Sequence, residues 1–234
     1  MSACRIEFLG DAALLLRFGD GIDAVTNQRV HACTAALRAQ APDWLADLTP
    51  AYACIALHVD VARIASDDAL GSACAWLEEW LVRTPLVASD THSRVVEIPV
   101  AYGGQFGPDL AAVATHALLP IEEAIARHTA ANYTVAMLGF APGFPYLLGL
   151  DASLAMPRID TPRTRVAAGS VGIGGAQTGI YPQAGPGGWR LVGRTPLRLF
   201  DARRDPPSLL QAGHRVRFVA IDAATFDAMD EHAR

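Results

Sequence analysis

The sequence contains no lysine, so all 19 of its basic residues are arginine. A P-loop, a Schiff-base site and a biotinyl attachment site each require a lysine side chain. The chain therefore cannot supply any of these three devices by itself.

Long apolar runs and a surplus of positive charge are also missing. No apolar stretch reaches the length of a membrane span, and the N-terminus, MSACRIEFLGD, lacks the basic-then-apolar layout of a signal peptide. The formal net charge of −5 argues against binding to nucleic acid or to anionic membranes. We therefore expect a cytoplasmic protein that has neither kind of partner.

Cysteine is scarce and shows no metal-binding pattern. Cys4, Cys33, Cys54 and Cys74 all lie in the first third of the chain, outside any C-x-x-C pair and in apolar surroundings. Such cysteines are typical of buried free thiols. Because no histidine pair has metal-ligand spacing either, we expect no metal site.

The first part of the chain alternates strand-like and helix-like patterns. Two apolar runs, IEFLG and AALLLRFG, flank Gly10-Asp11 and predict a hairpin. The apolar spacing from Ile22 to Arg38 predicts an amphipathic helix, with Ile22 and Val25 on its buried stripe. Residues 52–59 form a further strand-like run, and Ser66 is the expected N-cap of a second helix. Together these elements predict a small α/β sandwich.

A proline-containing polar stretch at 84–93 marks the expected boundary between domains 1–88 and 89–234. Beyond it, short helices are expected from Pro108 and over 120–128. The remaining segments are short and strand-like, with glycine and proline between them: 95–100, 133–140, 197–200 and 215–221. This pattern predicts a β-barrel, and an α+β fold for the whole chain.

The segment from Gly169 to Trp189, GSVGIGGAQTGIYPQAGPGGW, holds eight of the 20 glycines. Its opening resembles G-x-G-x-x-G, but Gln177 occupies the place of the last glycine and Pro182 prevents the helix that should follow. A nucleotide-binding loop is therefore not supported. We expect these glycines to allow positive φ and close backbone approach at barrel corners.

A second segment, MLGFAPGFPYLLGL, carries Phe140, Phe144 and Tyr146 on a loop stiffened by proline. These rings could wall a pocket, dock a partner or form an apolar plug at one barrel end. The Phe144-Pro145 bond is a candidate cis peptide.

Charged candidates follow the same boundary. Of six arginines between 158 and 198, Arg163 and Arg194 lie next to turn residues and are predicted to bind a small anion through their guanidinium forks. His128 ends a short helix, where the helix dipole should raise its pKa and favour its cation. No nucleophile and base can be paired from the sequence, so the catalytic residues remain unassigned.

Four blocks resemble the B subunit of bacterial ATP-dependent 5-oxoprolinase over essentially the whole chain. They read AYGGQFGPDL, GFAPGFPYLLGLD, TPRTRVAAGSVGIGGAQTGIYP and PGGWRLVGRTPLRLFD. The same family includes allophanate hydrolase subunit 1 and a sporulation kinase inhibitor, and it resembles part of the carboxyltransferase region of urea carboxylase. The resemblance implies a cyclophilin-like β-barrel behind a small α/β domain. Gln105 stands where the family commonly has glutamate, and Ala167 where it has proline.

The resemblance also implies that the glycine-rich and aromatic segments surround one cleft. Substrate-binding candidates there are Arg163, Gln177, Arg194, Tyr181, Trp189 and His128. The implied activity is that of one subunit of an ATP-dependent 5-oxoprolinase, an amide-ring hydrolase, inactive alone. ATP with Mg²⁺ would be bound by or shared with A- and C-type subunits. The alternatives are a regulatory module that inhibits a sensor histidine kinase and an accessory chain of a biotin-dependent carboxylase or an allophanate-type amidohydrolase.

Overall fold

A computed structural model of the protein describes residues 4–85 and 95–232, which form two compact units, one on each side of the interval at 86–94. The predicted boundary between residues 88 and 89 lies outside the described residues, and the domain limits stay a prediction. No described helix is both long enough and apolar enough to cross a membrane.

The first unit is a four-stranded antiparallel sheet packed with two helices. Its strands have the spatial order β1-β2-β4-β3. The elements are β1 (Arg5–Phe8), β2 (Ala13–Arg17), α1 (Ala24–Ala39), β3 (Leu45–Pro50), β4 (Cys54–Val59) and α2 (Ala69–Arg83). The predicted hairpin is confirmed as the β1–β2 pair. Strand β3 was not predicted because its sequence, LADLTP, has polar residues and a proline, which an edge strand tolerates.

The predicted stripe on α1 is right in its centre and wrong at its start. Val30, Cys33 and Leu37 are buried, whereas Ile22 and Val25 are exposed. Asp23 is the N-cap of α1 and accepts a hydrogen bond from the Thr26 N–H, so Ile22 precedes the helix.

The predicted cap of α2 is also corrected. Asp68, not Ser66, accepts the hydrogen bond from the Gly71 N–H, at 2.8 Å. The Ser66 hydroxyl instead accepts from the Asp68 N–H, one step before the helix. A carboxylate at this position satisfies a free N–H and also opposes the positive end of the helix dipole.

The four cysteines are free thiols in the first unit. Cys33 is buried, and the other three are partly exposed, so the expectation of burial holds for one of four. Burial raises the pKa of Cys33 to about 12, which keeps this thiol protonated.

The second unit is a closed seven-stranded barrel with three helices. The barrel strands are β5 (Val95–Tyr102), β6 (Tyr133–Leu138), β7 (Pro145–Leu148), β9 (Ser170–Gly174), β10 (Gln177–Ile180), β12 (Arg190–Arg194) and β13 (Arg215–Ile221). A separate two-stranded sheet joins β8 (Arg163–Val166) to β11 (Gly185–Gly187). The helices are α3 (Leu110–His116), α4 (Ile121–Ala130) and α5 (Ala223–His232). The α+β class and the barrel are confirmed.

One predicted strand, at residues 197–200, is not part of the barrel. Residues 197–200 contribute only an isolated bridge between Phe200 and Ser208. The Leu197 N–H is bonded to the Thr195 hydroxyl, and prolines at 196, 206 and 207 have no N–H to donate to a ladder.

Candidate functional site

The hairpin of β9 and β10, here called the glycine hairpin, presents two different faces. Its register pairs Gly172 with Gly179 and Ile173 with Thr178. Ile173 belongs to the barrel core, and Thr178 is fully buried. On the other face, a Cβ at Gly172 would lie 3.0 Å from the Trp189 Cβ. Because side chains alternate along strands, one face fills the barrel and the other leaves room for rings.

Most of these glycines are needed for space and not for turning the chain. A Cβ at Gly174 would lie 2.7 Å from the Trp189 ring, and one at Gly187 would collide with the Tyr181 hydroxyl. Positive φ occurs at Gly169 and Gly175, which flank β9. The expected barrel-corner role is therefore correct for these two, while the strand glycines allow close approach of aromatic rings.

Five predicted residues come together on the outer face as one aromatic cluster: Phe140, Phe144, Tyr146, Tyr181 and Trp189. Phe144 is central, with ring centroids 5.4 Å from Phe140, 4.9 Å from Tyr146, 5.3 Å from Tyr181 and 5.5 Å from Trp189. The rings meet edge to face or tilted, as aromatic pairs prefer. Phe144, Tyr181 and Trp189 are buried and Tyr146 is partly buried, so the cluster combines a packed base with a more open rim.

Phe140 forms the most open part of that rim. Its side chain is 66% exposed, and its φ of 65° lies in the left-handed region that disfavours side chains with a Cβ. Strained backbone that exposes a large ring is a feature found at functional sites. The neighbouring Phe144-Pro145 bond is not cis, since the cis peptide in the described chain is Asp205-Pro206, and the candidate cis assignment is wrong.

The cluster has a cationic edge. The Arg158 guanidinium lies 5.8 Å from the centroid of the Trp189 ring and is exposed. Burial raises the pKa of Tyr181, while a hydrogen bond from the main-chain N–H of Trp189 and the charges of Arg158 and Arg163 act in the opposite direction. A cation over an aromatic face beside a partly open ring suits an anionic ligand with an apolar body.

Arg163 is held by the protein itself. Its Nη2 donates to Asp109 Oδ1 at 2.8 Å, and Asp109 Oδ2 accepts from the Leu191 N–H at 2.7 Å. The Arg163 Nη1 atom is buried. Arg163 opens β8 and thereby ties this short strand to the barrel through Asp109, a residue that sequence reasoning missed although it lies in the block AYGGQFGPDL.

Arg194 and Gln177, two further substrate-binding candidates, have different surroundings. Arg194 Nε donates to the Ala168 carbonyl at 2.8 Å, and its guanidinium lies 5.5 Å from the Phe226 ring centroid. These contacts are those of an arginine that braces a turn. Gln177 is half-buried and pairs with Gly174, the glycine beneath the Trp189 ring.

His128 lies inside the barrel and not in the cluster. It is 2% exposed, with Nδ1 2.8 Å from the Tyr102 hydroxyl and Nε2 3.2 Å from the Thr178 hydroxyl. Burial lowers its pKa to about 3, opposite to the rise expected from the helix terminus. Loss of hydration outweighs the dipole because the imidazole points into the core. Tyr102 and Thr178 are further residues that no local pattern singled out.

The described residues also limit what the site can hold. No group of three or more histidine, cysteine, aspartate or glutamate side chains in residues 4–85 and 95–232 is arranged to bind a metal ion. The glycine hairpin, which resembled a phosphate loop, is paired strand whose outer face is covered by aromatic rings.

Comparison with known proteins defines first a class. Residues 4–210 match the family of the carboxyltransferase domain, subdomain C and D. Within that class, the chain is 42% identical over 237 residues to the B subunit of 5-oxoprolinase from Bacillus subtilis, covering 98% of each chain. The chain therefore belongs to the family of 5-oxoprolinase B subunits, which are carboxyltransferase C/D domains.

Solved structures share this architecture. TTHA0988 superposes with a TM-score of 0.76 at 38% identity, over 90% of this chain and 40% of that chain. The urea carboxylase of Kluyveromyces lactis has a TM-score of 0.73 at 20% identity, over 98% of this chain and 23% of that one, which shows a common fold. The chain thus spans less than half the length of either protein.

Proposed function

We propose that this chain is the B-type component of a multi-subunit, ATP-dependent 5-oxoprolinase that opens the lactam of 5-oxoproline to glutamate. The observation that carries the proposal is the 42% identity with the B subunit of a 5-oxoprolinase over nearly the full length of both chains. The name of that relative implies further subunits, and we propose A- and C-type chains as the partners.

This chain has no P-loop for ATP, and its described residues contain no cluster of side chains for Mg²⁺. A P-loop needs a lysine, which the sequence lacks, and the glycine hairpin presents its outer face to Trp189 and Tyr181 and not to a phosphate. We derive no step of the reaction through ATP in this chain, and we assign its binding to the partner subunits.

The contribution we propose for this chain is to bind and orient substrate at the rim of the aromatic cluster. 5-Oxoproline has a compact ring and one carboxylate. Phe140 and Tyr146 offer ring surface, and Arg158 offers an exposed guanidinium at the same edge. Gln177 can donate an amide N–H to the lactam oxygen, on which negative charge develops when the amide is attacked.

Arg163 and Arg194 were predicted to bind a small anion, but both already donate to acceptors within the protein. Asp109 accepts from Arg163, and the Ala168 carbonyl accepts from Arg194. We therefore transfer the carboxylate-binding role to Arg158, which stacks over Trp189 and keeps its guanidinium in solvent.

Reconstitution tests the function. ATP hydrolysis that depends on 5-oxoproline is measured with the A- and C-type subunits, with and without this chain, and with this chain alone. We expect turnover only in the complete mixture. Turnover by the isolated chain would contradict the multi-subunit assignment, and a complete mixture that ignores 5-oxoproline would contradict the substrate. In that case, inhibition of a sensor kinase and carboxylation with a biotin carrier are the assays that distinguish the two alternatives.

The same assay tests the site. Arg158→Gln should raise the KM for 5-oxoproline about ten- to a hundred-fold, because a charge-assisted hydrogen bond to a carboxylate is worth roughly 1.5–3 kcal/mol. Arg165→Gln removes a charge from another exposed arginine, on β8, and is the matched control. Equal KM values for the two variants would remove Arg158 from the site.

A further inference from the structure

A chain of hydrogen bonds crosses the interior of the barrel. The Tyr102 hydroxyl of β5 lies 2.8 Å from Nδ1 of His128 on α4. His128 Nε2 lies 3.2 Å from the Thr178 hydroxyl of β10, and that hydroxyl lies 2.9 Å from the Gly172 carbonyl of β9. Three strands and one helix, far apart in sequence, therefore meet at a single imidazole.

The direction of each hydrogen bond follows from its partners. A carbonyl only accepts, so the single Thr178 hydroxyl proton goes to the Gly172 oxygen. The Thr178 oxygen must then accept from His128, which places a proton on Nε2. A neutral imidazole has one donor and one acceptor nitrogen, so Nδ1 accepts from the Tyr102 hydroxyl. Every polar atom in this series of hydrogen bonds has a partner when His128 is neutral with its proton on Nε2.

The surroundings keep the imidazole in that state and in that orientation. The Phe218 ring stacks on it at 4.7 Å and 26°, and Tyr133 lies 5.5 Å away. The Tyr133 hydroxyl donates to the main-chain carbonyl of His128 at 2.9 Å, which fixes the last turns of α4. The titratable side chains in contact with the imidazole, Tyr102 and Tyr133, both have pKa values raised by burial and remain neutral phenols.

These hydrogen bonds hold the part of the barrel whose outer face carries the aromatic cluster. Thr178 and Gly172 belong to the glycine hairpin, and Gly179, next to Thr178, pairs with Gly172. A Cβ at Gly179 would lie 3.1 Å from the Phe144 ring, so ring and backbone already touch across this wall. Interiors packed this closely transmit small displacements, because contacts cannot compress.

We infer that His128 is a positioning residue: through Thr178 it holds the glycine hairpin from inside the barrel and thereby sets the position of Phe144, Tyr181 and Trp189 outside it. This role reaches the site through strand β10 and involves no contact with substrate. It does not rest on the proposed reaction, because it concerns the position of the cluster whatever ligand binds there.

The first test determines which nitrogen of His128 carries the proton in the wild-type protein. Nitrogen-15 NMR of histidine-labelled protein should show His128 with a protonated Nε2 and a bare Nδ1, unchanged between about pH 5 and pH 8. A proton on Nδ1, or titration of this histidine within that range, would overturn the inference.

The second test follows the surroundings of Trp189 as a reporter of the position of the aromatic cluster. In protein labelled with 5-fluorotryptophan, the Trp189 resonance is assigned by Trp189→Phe. Thr178→Val keeps the side-chain shape but removes the hydroxyl, and it should move the Trp189 resonance while those of Trp44, Trp76 and Trp80 stay in place. Thr178→Ser restores the hydroxyl and should return Trp189 to its wild-type position.

Tyr133→Phe is the matched control, because it removes a buried hydroxyl that bonds to the main-chain carbonyl of His128 and not to the imidazole or to the hairpin. It should lower stability and leave the Trp189 resonance unmoved. If Thr178→Val does not fold, Tyr102→Phe breaks the other end of the same chain and should have the same effect on Trp189. An unmoved Trp189 in the hydroxyl-deleted variant, or an equal shift in Tyr133→Phe, would contradict a positioning role.

Discussion

The first unit packs its sheet against two amphipathic helices, whereas the second closes its sheet into a barrel. The buried polar side chains of the first unit are Asn27 and Thr34, while those of the second include His128 and Thr178, which bond to each other. Every predicted site residue lies in the second unit. Distant contacts exist in both units, since Asn27 donates to the carbonyls of Ala51 and Tyr52, but in the second unit buried polar side chains also bond to each other across the core beside the candidate site.

The largest expected effect is a pH dependence of the free energy of unfolding, which comes from the buried imidazole of His128 in the second unit. In the unfolded chain His128 takes up a proton near its ordinary pKa of 6.5, but in the folded chain only near a pKa of about 3. Between these values the unfolded state holds more protons, so stability falls as the pH is lowered. From neutral pH to pH 4.5 this group should cost about 2–3 kcal/mol.

Urea unfolding at several pH values checks this expectation. His128→Gln should lack this part of the pH dependence, so the wild type should lose about 2–3 kcal/mol more than the variant over the same range. Equal slopes for the two proteins would show that His128 is not buried as a neutral imidazole.

The next effect concerns glycines. Gly174→Ala places a Cβ 2.7 Å from the Trp189 ring and should destabilise the protein by about 1–3 kcal/mol, because a packed ring must shift. Gly185→Ala in the same unit meets no atom within 4 Å, and Gly19→Ala in the first unit meets its nearest atom at 3.5 Å. Both controls should stay close to wild type in thermal unfolding. A similar loss in all three would mean that the effect at Gly174 does not come from contact with the Trp189 ring.

Arg194 allows a matched comparison between the units. Arg194→Ala removes a hydrogen bond to Ala168 and a cation–π contact with Phe226, and should cost about 1–2 kcal/mol of stability. Arg29→Ala removes a similar contact, at 5.4 Å from the Phe18 ring, in the first unit. Both should lower the melting temperature and leave activity per folded molecule unchanged. Loss of activity at normal stability in Arg194→Ala would return this arginine to the substrate site.

The smallest expected effect concerns two residues of the second unit whose backbone conformation is strained. Leu118 and Phe140 both have positive φ, at 57° and 65°, and Leu118 is 91% exposed. Leu118→Gly should relieve the strain and raise stability by roughly 0.5–1 kcal/mol without changing the rate of the reconstituted enzyme.

Phe140→Gly relieves the same strain but removes a ring that contacts Phe144 and Tyr181. It should therefore lower the rate of the reconstituted enzyme. Normal activity in this variant would show that the strain at Phe140 serves no function.

The candidate site was partly predictable. The aromatic residues were identified because proline and glycine around Phe140, Phe144 and Tyr146 imply a rigid loop that presents rings. The surroundings of His128 were not predictable, because its partner Thr178 is 50 positions away and burial reversed the direction of its pKa shift. The contact of Arg163 was not predictable for the same reason: Asp109, which accepts its hydrogen bond, is 54 positions earlier.

The amino-acid sequence by itself determined the β1–β2 hairpin, the presence of helices α1 to α4, strand β13 and the membership in a family, because each depends on the order of neighbouring residues or on a contiguous motif. The tertiary structure alone decided that strand glycines make room for Trp189 and Tyr181, that Asp109 holds Arg163, and that His128 bridges the barrel. These outcomes depend on which side chains meet and on how much water they lose there. Those quantities exist only once the barrel is closed, since burial and hydrogen bonding between distant strands have no counterpart in local spacing.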